Sequence, residues 1–310
     1  MDHLTDDEIS AITALLSEER LSTFQTMAGT TRAAIALHQQ TLQLAGALMS
    51  VTAVVEIALR NSVCDRLGDH FAVDGWLRRP PTSFVWKDEE RGKIEAAVRS
   101  AQRAAYAKLN ASDKSALDEA AFRRGVPPGL DHEFRVAARQ KAIVVRSGQV
   151  ITQLTMYFWK RLFSRDYEQS LWKPALRRIF PNKAIDRSAV AIQLEQIHQS
   201  RNRVAHHEPV YGHRLVDTLN AVDFLASNLG VAGSDGCTAL HKVLRSERAA
   251  LADRAHLLHL EIGACAGASS PCVKRGQMHV RASRNSRCEH RRIGTDAAHI
   301  KPRSPDPLRS

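Results

Sequence analysis

Val51-Thr-Ala-Val-Val-Glu-Ile-Ala-Leu-Arg-Asn-Ser-Val-Cys-Asp-Arg-Leu67 is the stretch that decides the fold class. Its apolar residues recur with the period of an α-helix, so one face is built to be buried and the other to meet water. Glu56 and Arg60 stand four residues apart in the favourable order for a helix-face ion pair. Upstream, Ala33 to Val55 contains no Asp, Glu, Lys or Arg, yet it holds His38, Gln39, Gln40, Gln43, Ser50 and Thr52. Those polar groups are costly in lipid and ordinary in a helix buried on two sides, so a core helix is expected rather than a membrane span. The helical region should run from Thr31 to Phe71 with a bend near its middle.

Helical periodicity continues on both sides, and no alternating β-branched run stands out. An all-α chain is expected. Thr5-Asp6-Asp7-Glu8 offers a capping box for a first helix reaching Met27, and Gly29 ends it. Residues 75–83 form a Pro-bearing loop, 89–109 an Ala-rich helix, and 125–131 a second loop. Segment 88–145 reads as a charged helical insertion, exposed and less tightly packed. Residues 148–162 turn apolar, and a proline-bounded connection through Trp172 and Phe180-Pro181 follows. Helices are then expected over about 187–208, 214–229 and 240–262, with a linker at 230–236.

The net charge of +11 is unevenly placed. Residues 271–310 hold ten Lys and Arg against three Asp and Glu, a net of +7, which leaves +4 for residues 1–270. Bulk charge thus permits a polyanion partner without demanding one. The expected organisation is 1–230 as a helical domain, 231–263 as linker and C-terminal helix, and 264–310 as a basic disordered tail able to add weak RNA attraction. Cys64, Cys237, Cys265, Cys272 and Cys288 match no zinc spacing. Their odd number and the lack of a secretory signal fit reduced thiols and a cytoplasmic protein. No cofactor or metal is implied, and a metal gathered by Cys272, His279, Cys288 and His290 is disfavoured by their irregular spacing.

Chemistry concentrates in Arg201-Asn202-Arg203-Val204-Ala205-His206-His207-Glu208-Pro209. Val190, Leu194 and Ile197 recur at i, i+4 and i+7, and Arg201 takes the next slot, where a Leu is expected; Val204 and Ala205 continue the stripe. Asn202 and His206, four apart, should stack on one face beside that arginine, and Pro209 places the cluster at a helix end. An always-charged donor, an amide and an imidazole can together bind an anion and move a proton. The plain alternative is structural: Arg201 paired with a core carboxylate such as Glu56, beside surface histidines.

Three segments, Glu56-Ile-Ala-Leu-Arg-Asn61, Leu154-Thr-Met-Tyr-Phe-Trp-Lys-Arg-Leu-Phe163 with Leu171-Trp172 and Phe180-Pro181, and Arg201 to Pro209, resemble in order and rough spacing the Abi-like (abortive infection, AbiD/AbiF type) proteins of the HEPN superfamily. The likeness covers roughly residues 15–230. It implies an up-and-down helical bundle that forms a homodimer, with RNA as partner, an antitoxin as a further possible partner, and no membrane. It implies a metal-independent endoribonuclease acting in phage defence or as a toxin-like effector. Arg201, Asn202 and His206 would then be the catalytic trio. His207 would be the alternative histidine, and Arg203, Arg60, Asn61 and Glu56 would support them. The other reading within the family is a non-catalytic RNA-binding or regulatory module. Met156-Tyr157, where the family commonly has a Gly-containing stretch, and the arginine tail depart from the pattern.

Overall fold

The computed structural model describes residues 3–268, all helix, turn and loop; among these residues there is no strand. Thr5 caps α1 (Asp6–Leu16): its hydroxyl accepts from the Glu8 amide at 3.3 Å, while the Glu8 carboxylate accepts from the Thr5 amide at 2.7 Å. This is the expected capping box. The single helix expected to Met27 is broken at Ser17, which adopts φ 70°. Its hydroxyl caps α2 (Glu18–Ala28) by accepting from the Arg20 amide at 3.3 Å, offsetting part of the left-handed strain. The turn lets Ile9 and Leu21 close over Ile35 in a small apolar cluster. Gly29, in the left-handed region at φ 72°, ends α2 as expected.

Helix α3 (Thr31–Phe71) is the axis of the protein. It runs 41 residues as one continuous helix, about 60 Å, over the expected span. Val51, Val55, Leu59, Val63, Leu67 and Phe71 are buried at every fourth position. Such a row winds around a helix, so α3 meets different neighbours along its length. By length and composition alone α3 could cross a membrane. In the fold its buried positions serve as the shared core of the helices around it.

The segment after α3 is pinned by aromatic packing. Phe71, Trp76, Phe84 and Trp86 contact one another, and Trp86 reaches Phe158 and Tyr167. The charged insertion comprises α4 (Asp88–Ala107), α5 (Ala111–Ala121) and α6 (His132–Ala142). Helix α5 buries no residue and is tied to α6 by Asp118, which accepts from Arg139 at 2.6 and 2.7 Å and from Arg135. Two guanidinium forks hold the Asp118 carboxyl well below the usual carboxylate range. So charge pairing rather than apolar burial ties α5 to α6, while α4 is anchored by burying Ile94, Ala97 and Ala101 in the main core.

Short helices α7 (Ser147–Ile151) and α8 (Met156–Arg161) lead through one-turn helical segments at Arg165–Tyr167, Glu168–Trp172 and Leu176–Ile179. Helix α9 (Arg187–Ala205) follows, capped by Asp186, and packs on α3, α8 and α10 (His213–Asn228). Residues 231–263, expected as linker and final helix, join the same body. Helix α11 (Ala239–Val243) meets α10, and α12 (Arg245–Ala268) lies along α3 and α2. The expected last helix is thus divided at Leu244, and its second part runs on to Ala268. Residues 264–268, expected as the start of a disordered tail, thus belong to α12; the rest of that expectation, the RNA attraction and the cluster of Cys272, His279, Cys288 and His290 fall at residues outside those described.

Candidate functional site

The last two turns of α9 and the turn after them carry the candidate residues. Helix α9 ends at Ala205, with His206 as its C-cap and His207 at φ 58°. The His206 amide donates to the carbonyls of Asn202 at 3.0 Å and Arg203 at 3.1 Å. The Glu208 amide returns to the Arg203 carbonyl at 2.8 Å, and the Arg203 guanidinium pairs with the Glu208 carboxylate at 2.9 Å. Arg203 therefore clamps the turn. Val204 is buried, as the stripe requires, whereas Ala205 is exposed.

Arg201 sits at the edge of the core, its side chain 33% exposed. Its Nε lies 3.9 Å from Glu56 Oε2 on α3, the outer limit of an ion pair. Burial pushes the Glu56 carboxyl upward, and the charges of Arg201 and Arg60 pull it back only in part. At that separation the guanidinium is loosely held. Asn61 is on the exposed side of α3, with Ile57 47% exposed one turn before it.

Asn202 engages the imidazole one turn behind it instead of His206. Its Nδ2 lies 3.1 Å from His198 Nε2. With the amide donating, the ring proton is on Nδ1, which is buried with no partner among the described residues. Burial, with the charge of Lys160, pushes His198 below the ordinary histidine value and keeps it neutral. Lys160 is itself bonded to Glu195 and lies over the Tyr157 ring, whose centroid is 5.7 Å from that of His198. Sequence reasoning did not include His198. The i, i+4 relation of His198 to Asn202 was the available signal, equal in form to that of Asn202 to His206.

His206 and His207 instead line a cavity of about 370 Å³ with Arg20, His38 and Thr41. Arg20 donates to the His207 carbonyl at 3.4 Å. His38 is buried at 5% exposure, edge-on to Phe24 at 5.5 Å, and neither ring nitrogen has a partner among the described residues. Arg201 meets α3 at Glu56, while His206 shares its cavity with Thr41, about 22 Å earlier along that helix. Within one chain, then, Arg201 and His206 reach toward different parts of α3, and Asn202 bonds His198 rather than His206. Cys64, on α3, is pushed up to about 12 by burial, which leaves its thiol protonated and a weak nucleophile. No cluster of metal-ligating side chains occurs among the described residues.

His38 and His198 are both held below the ordinary histidine value of 6.5, mainly by burial. The unfolded chain therefore binds protons there that the fold excludes. Their contribution to stability is complete above that value and is lost as pH falls through it. The melting temperature should drop between pH 7.5 and 5.5, and His38→Leu should flatten the decline. A thermal melt series of both proteins checks this; an equal or steeper slope in the variant rules out the His38 contribution.

No family model, curated protein or solved structure matches this chain, so what is shown of its identity is its architecture, an all-helical fold built on one long axial helix.

Proposed function

We propose that this chain binds RNA and cleaves it by attack of the RNA's own 2′-hydroxyl, with Arg201 and His206 supplied by two copies of the chain. The observation that carries the proposal is the availability of Arg201. It is permanently charged and partly exposed, and the one carboxylate paired with it among the described residues stands 3.9 Å away. Such a guanidinium can exchange its counter-ion for a phosphodiester. His206 is exposed at the helix end, and an imidazole is the side chain most often used to pass a proton to or from a reacting oxygen. Because the two diverge within one chain, the reading requires a two-fold pairing in which one copy's Arg201 faces the other's His206. The arginine fork would neutralise the charge that builds on the pentacoordinate phosphorus, and the imidazole would serve the 2′-hydroxyl or the departing 5′-oxygen. The products would be a 2′,3′-cyclic phosphate and a 5′-hydroxyl.

The resemblance to Abi-like HEPN proteins supports this chemistry and extends it to a cytoplasmic toxin-like effector in phage defence, with an antitoxin as possible regulator. The divergence of Arg201 and His206 favours one alternative, a non-catalytic RNA-binding module. Incubation of the protein with single-stranded RNA in EDTA separates the two. Cleavage to cyclic-phosphate ends, with the matching DNA intact, is expected. Salt-dependent RNA binding without product would leave the binding module.

A further inference from the structure

A second, larger concavity lies in the charged lobe, outside the candidate site and independent of the nuclease reading. Residues 77–86, α4 and the end of α6 enclose a groove of about 1120 Å³. Helix α4 contributes two adjacent rows at helical spacing, Arg91, Ile94 and Val98, and Glu95, Arg99 and Arg103. They form one continuous face about 18 Å long. The floor is apolar, formed by Leu77, Phe84, Val85, Trp86, Ile94 and Val98. Val85 is 71% exposed there, a large aliphatic side chain with nothing over it.

The rim is cationic. Arg78, Arg91, Arg99, Arg103 and Lys141 face a single carboxylate, Glu95. Arg91 is paired with Asp88 at 2.6 Å. Arg78, Arg99, Arg103 and Lys141 make no ion pair among the described residues, in a lobe where Arg135 and Arg139 are tightly paired. An apolar floor between unpaired cations is complementary to an apolar stripe flanked by carboxylates.

We infer that this groove docks an acidic amphipathic helix of a partner protein. The chain's own residues 269–310 are excluded as occupant by their charge, ten Lys and Arg against three Asp and Glu. Single-stranded nucleic acid suits the rim but not the floor. Trp86 and Phe84 are 5% and 6% exposed and locked edge-to-face at 4.8 Å, so neither offers a free ring face to a base. A helix of about twelve residues spans the groove, and its side chains at i, i+4 and i+7 would meet Val85, Ile94 and Val98.

The test uses the full chain and three fluorescein-labelled probes read by anisotropy. One is a 14-residue helical peptide with Leu at i, i+4, i+7 and i+11 and Glu at most other positions. Its twin carries Lys in place of Glu, and the third probe is oligo-uridine. The acidic peptide should bind in the micromolar range, at least tenfold tighter than its twin. The double variant Arg99→Glu, Arg103→Glu should weaken it at least tenfold. Both positions are exposed and unpaired among the described residues, so an unchanged thermal melt is expected. Val85→Glu should weaken the peptide comparably by placing a carboxylate on the floor. Equal binding of the two peptides, or variants that bind like the parent chain, would overturn the inference. Oligo-uridine binding lost in the double variant, without peptide binding, would also overturn it and make the groove a nucleic-acid surface.

Discussion

Arg201→Ala should lower RNA cleavage in EDTA by about 10²–10³-fold, the usual cost of deleting one preorganised donor to a developing anion. His206→Ala should cost about 10²–10⁴-fold, the usual contribution of a positioned general acid or base. Neither should collapse the fold. The Arg201–Glu56 separation of 3.9 Å, with Arg201 a third exposed, is that of a weak pair contributing about 1 kcal/mol or less. Its removal leaves Glu56 beside Arg60, whose charge also favours the carboxylate. The melting temperature should therefore fall by only about 2–4 °C. A fall on the order of 10 °C in Arg201→Ala, with cleavage lost only in proportion to unfolding, would make the arginine a structural member of the core instead.

A larger loss of stability is expected at a residue with no role in the proposed chemistry. Glu90, on α4, is 1% exposed. Its two oxygens accept from Arg161 Nε at 2.9 Å and from the Tyr167 hydroxyl at 2.7 Å, and that hydroxyl accepts from the Lys87 amide at 3.1 Å. The carboxylate thus joins the start of the charged lobe to α8 and the one-turn helix after it. Glu90→Ala strands a largely buried guanidinium and a buried phenol. Breaking one side of such a pair costs about 3–5 kcal/mol, on the order of 10 °C in melting temperature. Tyr167→Phe removes one neutral donor and should cost about 1 kcal/mol. Paired thermal melts check both. A Glu90→Ala variant melting within 2 °C of the parent would show that Asp166 and Glu89, at 3.0 and 3.6 Å from Arg161, carry that guanidinium unaided.

Much of the architecture was legible because it depends on local chemistry. The Thr5–Glu8 capping box and the Gly29 stop each follow from groups that satisfy helix-end amides or adopt a left-handed φ. The break at Ser17 was missed, although a serine followed by Glu18 and Glu19 is a local helix-start signal. Its positive φ is imposed by the closure of Ile9 and Leu21 over Ile35. Leu244 divides α11 from α12 in the same way, by packing: it is fully buried and no glycine or proline marks it.

The candidate site was legible as a set of residues and less so as a geometry. Helical spacing placed Arg201 at the core edge, where it lies, and set Asn202 beside His206, whereas the amide meets His198. Spacing leaves open which of two imidazoles four residues away the amide will take. Burial beside Lys160 and Tyr157 decides for His198. Spacing is equally silent on the neighbours across the helix. Arg20 and His38 come from α2 and the charge-free half of α3, 186 and 168 residues before His206 in the chain, and only the tertiary fold brings them to one cavity.

The pairing of Arg201 from one copy with His206 from another is tested by mixing two inactive proteins. Arg201→Ala and His206→Ala chains, combined in equal amounts, unfolded and refolded together, yield a mixed dimer in which one site keeps both native side chains. Half of the dimers are mixed and each has one of its two sites intact, so about one quarter of the parent activity should return in EDTA. Cleavage that stays at the level of the separate variants, from mixed dimers that have demonstrably formed, would contradict a site shared in this way between two copies.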